Sequence, residues 1–112
     1  MGGLTQQQLT PVEVRAPRGA QQVDIRWASG DTTTYSFELL RGYCPCASCQ
    51  GHQGPITFVG GDSSELLEIE EIGNYALRLV WPDCGSGLYT YRFLRQLAEP
   101  HTGDPKKRTL PR

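Results

Sequence analysis

The chain of 112 residues has the length of a single domain, and at this size folding buries roughly two-thirds of the unfolded surface. Its formal net charge of -1 gives no general attraction to nucleic acid or to anionic membranes. No apolar run approaches the roughly 20 residues of a membrane helix, and the first residues lack the basic and apolar regions of a secretory signal. We therefore expect a cytoplasmic protein that binds neither nucleic acid nor membranes.

The N-terminal part of the chain predicts a short strand after an unpatterned start. Eight prolines and thirteen glycines favour short elements joined by many turns. Residues 1–9 show no apolar period and are expected to be flexible. Pro11–Ala16 contains the alternating Val12 and Val14 that are typical of a strand.

An internal repeat organises most of the remaining chain. Aligning Trp27 with Trp81 brings two segments into register without gaps. Each reads as an alternating strand, a glycine-containing turn, a second strand and a short helix preceded by a Ser or Thr that can cap it. The matched pairs are Val23 and Leu77, Ile25 and Leu79, Trp27 and Trp81, Tyr35 and Tyr89, Phe37 and Tyr91, Leu40 and Leu94, and Arg41 and Arg95. The repeat predicts two pseudo-symmetric β-β-α units on one sheet, with helices at Phe37–Arg41 and Tyr91–Ala98 and the aromatic side chains in the core.

Three further segments lie outside the repeat. Ile56–Val59 predicts a short strand, whereas Leu66–Ile72 fits helix and strand periodicities equally poorly. Residues 99–112 contain prolines and the basic run Lys106-Lys107-Arg108 without an apolar period, which predicts a disordered tail. The folded domain is therefore expected to span residues 10–98.

Four cysteines form the most distinctive chemical pattern. Cys44, Cys46 and Cys49 lie within six residues, and Cys84 lies in the hairpin of the second unit. Thiols this close in sequence pair poorly in disulfides, and cytosolic thiols stay reduced. Three thiolates of one loop can converge on one soft cation, with Cys84 as the fourth ligand. The pattern predicts a Cys₄ zinc site, with an iron–sulfur cluster as the alternative and unligated or disulfide-bonded cysteines as less favoured interpretations.

A histidine competes with Cys84 for the fourth position. His52 follows Cys49 at a Cys-x-x-His spacing and would close a local Cys₃His site. Four ligands within nine residues require a very tight loop, so Cys84 is favoured and His52 stays open as the rival.

Residues spread over about 10–98 resemble the N-terminal domain of γ-butyrobetaine hydroxylase, also called the DUF971 family. The matching residues are Trp27, Tyr35, Leu40, Arg41, Cys44, Pro45, Cys46, Cys49, Gly73, Asn74, Tyr75, Ala76, Leu77, Trp81, Asp83, Gly87, Tyr89, Leu94 and Arg95. The resemblance implies a two-layer α+β fold stapled by zinc. In the hydroxylases the metal is held by the three loop cysteines and a hairpin histidine. Here the hairpin is one residue shorter and Cys84 stands in the place of that histidine.

The resemblance also bears on catalysis. The hydroxylases' activity lies in a separate 2-oxoglutarate and iron domain that needs a His-x-Asp/Glu…His triad. The two histidines of this chain, His52 and His101, form no such motif, and four thiolates leave zinc no open position. We expect a non-catalytic, zinc-binding accessory domain with protein partners, and homo-oligomerisation stays open. The alternatives are an iron–sulfur assembly or carrier accessory, since similar domains are fused to iron–sulfur ATPases, and a non-catalytic partner of a 2-oxoglutarate dioxygenase.

Overall fold

A computed structural model describes residues 4–46, 50, 55–59, 65–82, 85–99 and 103–110 of the protein. Within these residues the fold is α+β, with antiparallel sheets and with helices at both positions that the repeat predicts. The elements are β1 Pro11–Arg15, β2 Gln22–Trp27, β3 Thr32–Ser36, α1 Phe37–Gly42, β4 Ile56–Thr57, β5 Glu68–Ile72, β6 Ala76–Trp81, β7 Gly85–Thr90, α2 Tyr91–Ala98 and β8 Thr109–Leu110, with 3₁₀ helices at Gln7–Leu9 and Pro105–Lys107. Within the described ranges, no helix has the length and apolar character needed to cross a membrane.

The strands of the described residues form three separate sheets, so the prediction of one sheet carrying both units is wrong. Their orders are β1-β2-β3, β5-β6-β7 and the two-stranded β4-β8. In each unit an additional strand, β1 or β5, pairs with the first strand of the repeat. The first strand of each unit, β2 or β6, is therefore the central strand of its own sheet. Leu66–Ile72, ambiguous from its periodicity, contains β5 because Glu68–Ile72 pairs along the whole of β6 through the turn at Gly73.

Both helices begin at the predicted caps. The Ser36 hydroxyl accepts a hydrogen bond from the Leu39 N–H at 3.1 Å, and the Thr90 hydroxyl accepts one from the Phe93 N–H at 3.1 Å. Each bond satisfies one of the first N–H groups of a helix, which have no partner inside the helix itself. The bounds of α2 agree with the sequence, and α1 extends one residue further, to Gly42.

Two buried tyrosines tie each unit to the helix of the other. The Tyr35 hydroxyl, from the first unit, donates to the carbonyl of Leu94 in α2 at 2.7 Å. The Tyr89 hydroxyl, from the second unit, donates to the carbonyl of Leu40 in α1 at 2.6 Å. Because these four residues form two matched pairs of the repeat, the two bonds are related by its pseudo-twofold symmetry.

The two tryptophans also contact the helix of the other unit. Trp27 meets Tyr91 edge to face with ring centroids 5.9 Å apart, and Trp81 meets Phe37 in the same way at 6.3 Å. Both tryptophans are fully buried, as the sequence predicts. Aromatic pairs in this geometry add to the stability gained from burial alone. The core therefore lies between the two units and is built from both.

Described residues near both ends of the chain contact the folded domain, which the sequence does not predict. Leu9, within the N-terminal stretch expected to be flexible, packs against the core. The prediction of a disordered basic tail is wrong for residues 103–110. There Leu110 is only 4% exposed and β8 pairs with β4. The Arg108 guanidinium donates to the carbonyls of Gln96 and Leu97 near the end of α2, at 2.9 and 2.8 Å. Isolated contacts such as these involve one residue at a time, so they leave no periodic pattern in the sequence.

Candidate metal centre at the cysteine loop

The structure describes two of the four predicted ligands. Cys44 and Cys46 follow directly on α1, and neither is in a disulfide. Cys49 and Cys84 lie outside the described residues, as does the rival ligand His52. Among the residues that are described, no three His, Cys, Asp or Glu side chains come together.

The end of α1 carries Cys44 into the core. The N–H of Tyr43 donates to the carbonyl of Leu39 at 3.0 Å, and the N–H of Cys44 donates to that of Arg41 at 3.2 Å. This tight last turn points the Cys44 thiol inward, where the residue is 0% exposed and belongs to the hydrophobic core. Cys46, two positions later, is only half-buried.

The surroundings of Cys44 disfavour a thiolate that has no cation beside it. Burial raises the pKa of the Cys44 thiol to about 11, although hydrogen bonding with the Cys46 backbone and with the Tyr89 side chain acts in the opposite direction. The neighbouring Cys46 thiol raises the pKa further. A bound cation would stabilise the ionised form of this buried sulfur. Two adjacent thiols with one of them buried fit one side of a tetrahedral zinc or iron–sulfur site.

A glycine allows the cysteine loop to lie against the second unit. A Cβ atom placed on Gly87, in β7, would stand 2.6 Å from the Cys44 Sγ and 3.3 Å from the Pro45 Cδ. No real Cβ comes as close to another atom as the first of these distances, so β7 can approach the loop only without a side chain here. Gly87 lies three positions after Cys84 in the sequence. The loop of the first unit and the hairpin of the second are therefore in contact.

A glutamine fixes the other side of the loop. The Gln50 Nε2 group donates to the carbonyls of Cys44 and Thr57, at 3.1 and 2.8 Å. The Gln50 Oε1 atom accepts from the N–H of Thr57 at 3.0 Å. Thr57 belongs to β4, so Gln50 connects the cysteine loop to the sheet that the C-terminal β8 completes. Sequence reasoning missed this role, because a single glutamine has no recognisable signature.

Comparison with known proteins identifies the family. A family model described as "Gamma-butyrobetaine hydroxylase-like, N-terminal" matches residues 14–95. A crystal structure of a protein of unknown function from Acidithiobacillus ferrooxidans, assigned to the DUF971 family, is 28% identical, with a TM-score of 0.68 over 86% of this chain and 100% of that chain. An NMR solution structure is 34% identical, with a TM-score of 0.62 over 86% of this chain and 75% of that one. Curated protein sequences give no match. The chain therefore belongs to the γ-butyrobetaine hydroxylase-like N-terminal domain family.

Proposed function

We propose that this protein is a zinc-binding accessory domain that serves protein partners and catalyses no reaction of its own. Its metal would be held by Cys44, Cys46, Cys49 and Cys84. The site would join the exit of the first repeat unit to the hairpin of the second. The observation that carries the proposal is the contact between the buried Cys44 sulfur and Gly87, because Gly87 belongs to the hairpin strand that follows Cys84.

A structural role suits these surroundings better than a catalytic one. A catalytic zinc keeps one position open to water or substrate, whereas four thiolates close the coordination shell. Cys44 is inaccessible to solvent, and the Tyr89 hydroxyl beside it is engaged with the carbonyl of Leu40. A metal held here would stabilise the fold, since ligands that converge only after folding couple the binding energy to the folding energy.

The test measures metal identity and coordination together. Elemental analysis of freshly purified protein should give one zinc per chain, and X-ray absorption should give four Zn–S distances of about 2.3 Å. A nitrogen in the first shell would replace Cys84 with His52. A brown protein that contains iron would instead make the chain an iron–sulfur accessory.

Two variants separate the candidate fourth ligands. Cys84→Ser should release the metal and lower the melting temperature, because a structural zinc site contributes on the order of 10 kcal/mol. His52→Ala should change the unfolding free energy by no more than about 0.5 kcal/mol, as expected for a side chain that does not bind the metal. Equal melting temperatures for Cys84→Ser and the parent protein would refute the role of Cys84.

A further inference from the structure

Two cavities share Thr90, at the end of β7, as a lining residue. The larger, of about 410 Å³, lies between the N-terminal 3₁₀ helix and the start of α2, with Asn74, Tyr75 and Arg92 in its wall. The smaller, of about 170 Å³, lies beside the cysteine loop, with Pro45 and Leu88 in its wall. Thr90 lines both cavities. The two cavities therefore adjoin at Thr90, and together they are called the Thr90 groove below.

The groove exposes apolar surface at both ends. Tyr75 is 50% exposed and Leu88 is 43% exposed, although both are large apolar residues. Leu88 points outward from β7, between Gly87 and Tyr89, which are buried. Single exposed apolar side chains are common on protein surfaces. Here, however, two of them line adjoining cavities, which is the arrangement of a binding groove.

The wall of the groove carries a positive charge at Arg92. Arg92 is exposed, and no ion pair of its side chain occurs within the described part of the chain. By contrast, Arg78 pairs with Glu70 at 2.7 Å and Arg95 pairs with Asp31 at 2.9 Å. Among the described residues, no Asp or Glu lines either cavity. Such a surface favours a ligand that brings its own carboxylate.

We propose that the Thr90 groove binds a linear segment of a partner protein that combines an aliphatic side chain with a nearby Asp or Glu. A cavity of about 150 Å³ can hold a benzene molecule, so the cavity of about 170 Å³ admits one aliphatic side chain beside Leu88. The carboxylate of the segment meets the Arg92 guanidinium, and Tyr75 covers the apolar atoms between them. This proposal rests on the accessory role proposed above and specifies the partner's chemistry.

The groove is also coupled to the cysteine loop. Pro45, which lies between Cys44 and Cys46, forms part of the wall of the smaller cavity. The position of Pro45 is fixed on one side by Gly87, whose absent side chain lets the loop pack on β7. A metal bound by the neighbouring cysteines would thus hold the wall of the groove in place, and its loss should weaken the binding of the segment.

The probe is a library of random linear peptides, selected on the zinc-replete protein. The enriched peptides should combine an acidic residue with an aliphatic one. Fluorescence anisotropy of one labelled peptide should give binding about tenfold weaker for Arg92→Glu and for Leu88→Asp. Arg18→Glu and Val12→Asp, at exposed positions outside the groove, are the matched controls and should bind as the parent does.

Several outcomes would overturn the proposal. One is the enrichment of peptides that contain no acidic residue, and another is equal binding by Arg92→Glu and the parent. A third is a dimer in sedimentation that Leu88→Asp dissociates, because a second copy of the chain would then be the occupant of the groove. Zinc analysis of the same samples keeps the two proposals apart. Peptide binding by protein that purifies without metal supports the groove and refutes the metal site, whereas zinc without any selectable peptide refutes the groove alone.

Discussion

Gly87 has no side chain, and this sets the distance between the cysteine loop of the first unit and β7 of the second. Because any Cβ on Gly87 would meet the Cys44 sulfur, we expect Gly87→Ala to force the cysteine loop away from β7. Overpacking of this kind typically costs about 1–3 kcal/mol. Urea unfolding should show this loss, and competition with a chelator should show weaker zinc binding.

The control for this substitution is Ser86→Ala, at the exposed neighbouring position of the same strand. It should change the unfolding free energy by no more than about 0.5 kcal/mol. If Gly87→Ala unfolds at the same urea concentration as the parent and keeps its zinc affinity, the loop does not need the close approach to β7.

The buried hydroxyl of Tyr35 makes stability depend on alkaline pH. Burial raises the pKa of Tyr35 to about 12, above the ordinary tyrosine value of about 10. The unfolded chain therefore loses this proton first. The stability that the group contributes is complete below about pH 10 and is lost as the pH rises toward about 12. Tyr35→Phe should flatten this decline, because no proton is left to lose.

The measurement is the free energy of unfolding of both proteins between about pH 9 and pH 12. At neutral pH, Tyr35→Phe should cost about 1 kcal/mol, since the Leu94 carbonyl loses its donor. Tyr75→Phe removes the hydroxyl of an exposed tyrosine and should keep the alkaline decline of the parent. Parallel profiles for Tyr35→Phe and the parent would contradict the assignment to Tyr35.

At the scale of elements, the sequence predicts what is local. Helix α2 follows from its Thr90 cap and from apolar residues on one face, and the repeat follows from the spacing of the aromatic residues. Helix α1 and the strands of both units follow in the same way. The sheet order does not follow from the sequence. Nothing in the sequence of β2 shows that β1, rather than a strand of the other unit, will pair with it. The segment Leu66–Ile72 was ambiguous because its apolar residues alternate imperfectly, and only the pairing with β6 decides it.

The candidate metal site also combines features that the sequence predicts with features that it does not predict. The four cysteines were recognised from spacing, and their approach to the second hairpin was expected from the repeat. The contributions of Gln50 and of the Tyr89 hydroxyl were not predicted. Both depend on side chains that meet across the fold, and such contacts leave no pattern in the sequence.

The C-terminal segment 103–110 stabilises the cysteine loop through β4. Leu110 is buried and its strand pairs with β4, which Gln50 connects to the carbonyl of Cys44. We expect Leu110→Ala to lower the unfolding free energy by about 2–4 kcal/mol, as is usual for a buried leucine. Removing the chain after Glu99 should have a larger effect, because the Arg108 bonds to α2 are lost as well.

Calorimetry of the Leu110→Ala protein tests this stabilisation. Lys107→Ala, at an exposed position of the same segment, is the control and should melt with the parent. A truncated chain with an unchanged melting temperature and unchanged zinc content would show that the segment contributes nothing to the fold.

For the whole molecule, the packing of each sheet against the helix of the other unit should make unfolding cooperative. Each sheet places its tryptophan and tyrosine on the helix of the other unit, so neither unit has a complete core alone. Arg95 strengthens this connection, since it pairs with Asp31 and lies 5.1 Å above the Trp27 ring. Units that share one core should unfold together, as small single domains generally do.

The two tryptophans allow this to be measured one sheet at a time. The chain has no others, so Trp27→Phe leaves a reporter only in the second sheet and Trp81→Phe leaves one only in the first. Both variants should be less stable than the parent, because a buried indole and its contacts are lost. Within each variant, however, tryptophan fluorescence and far-ultraviolet circular dichroism should give the same urea midpoint. A fluorescence midpoint that departs from the dichroism midpoint in either variant would show that one sheet unfolds before the other, and the shared core could not then be what holds the units together.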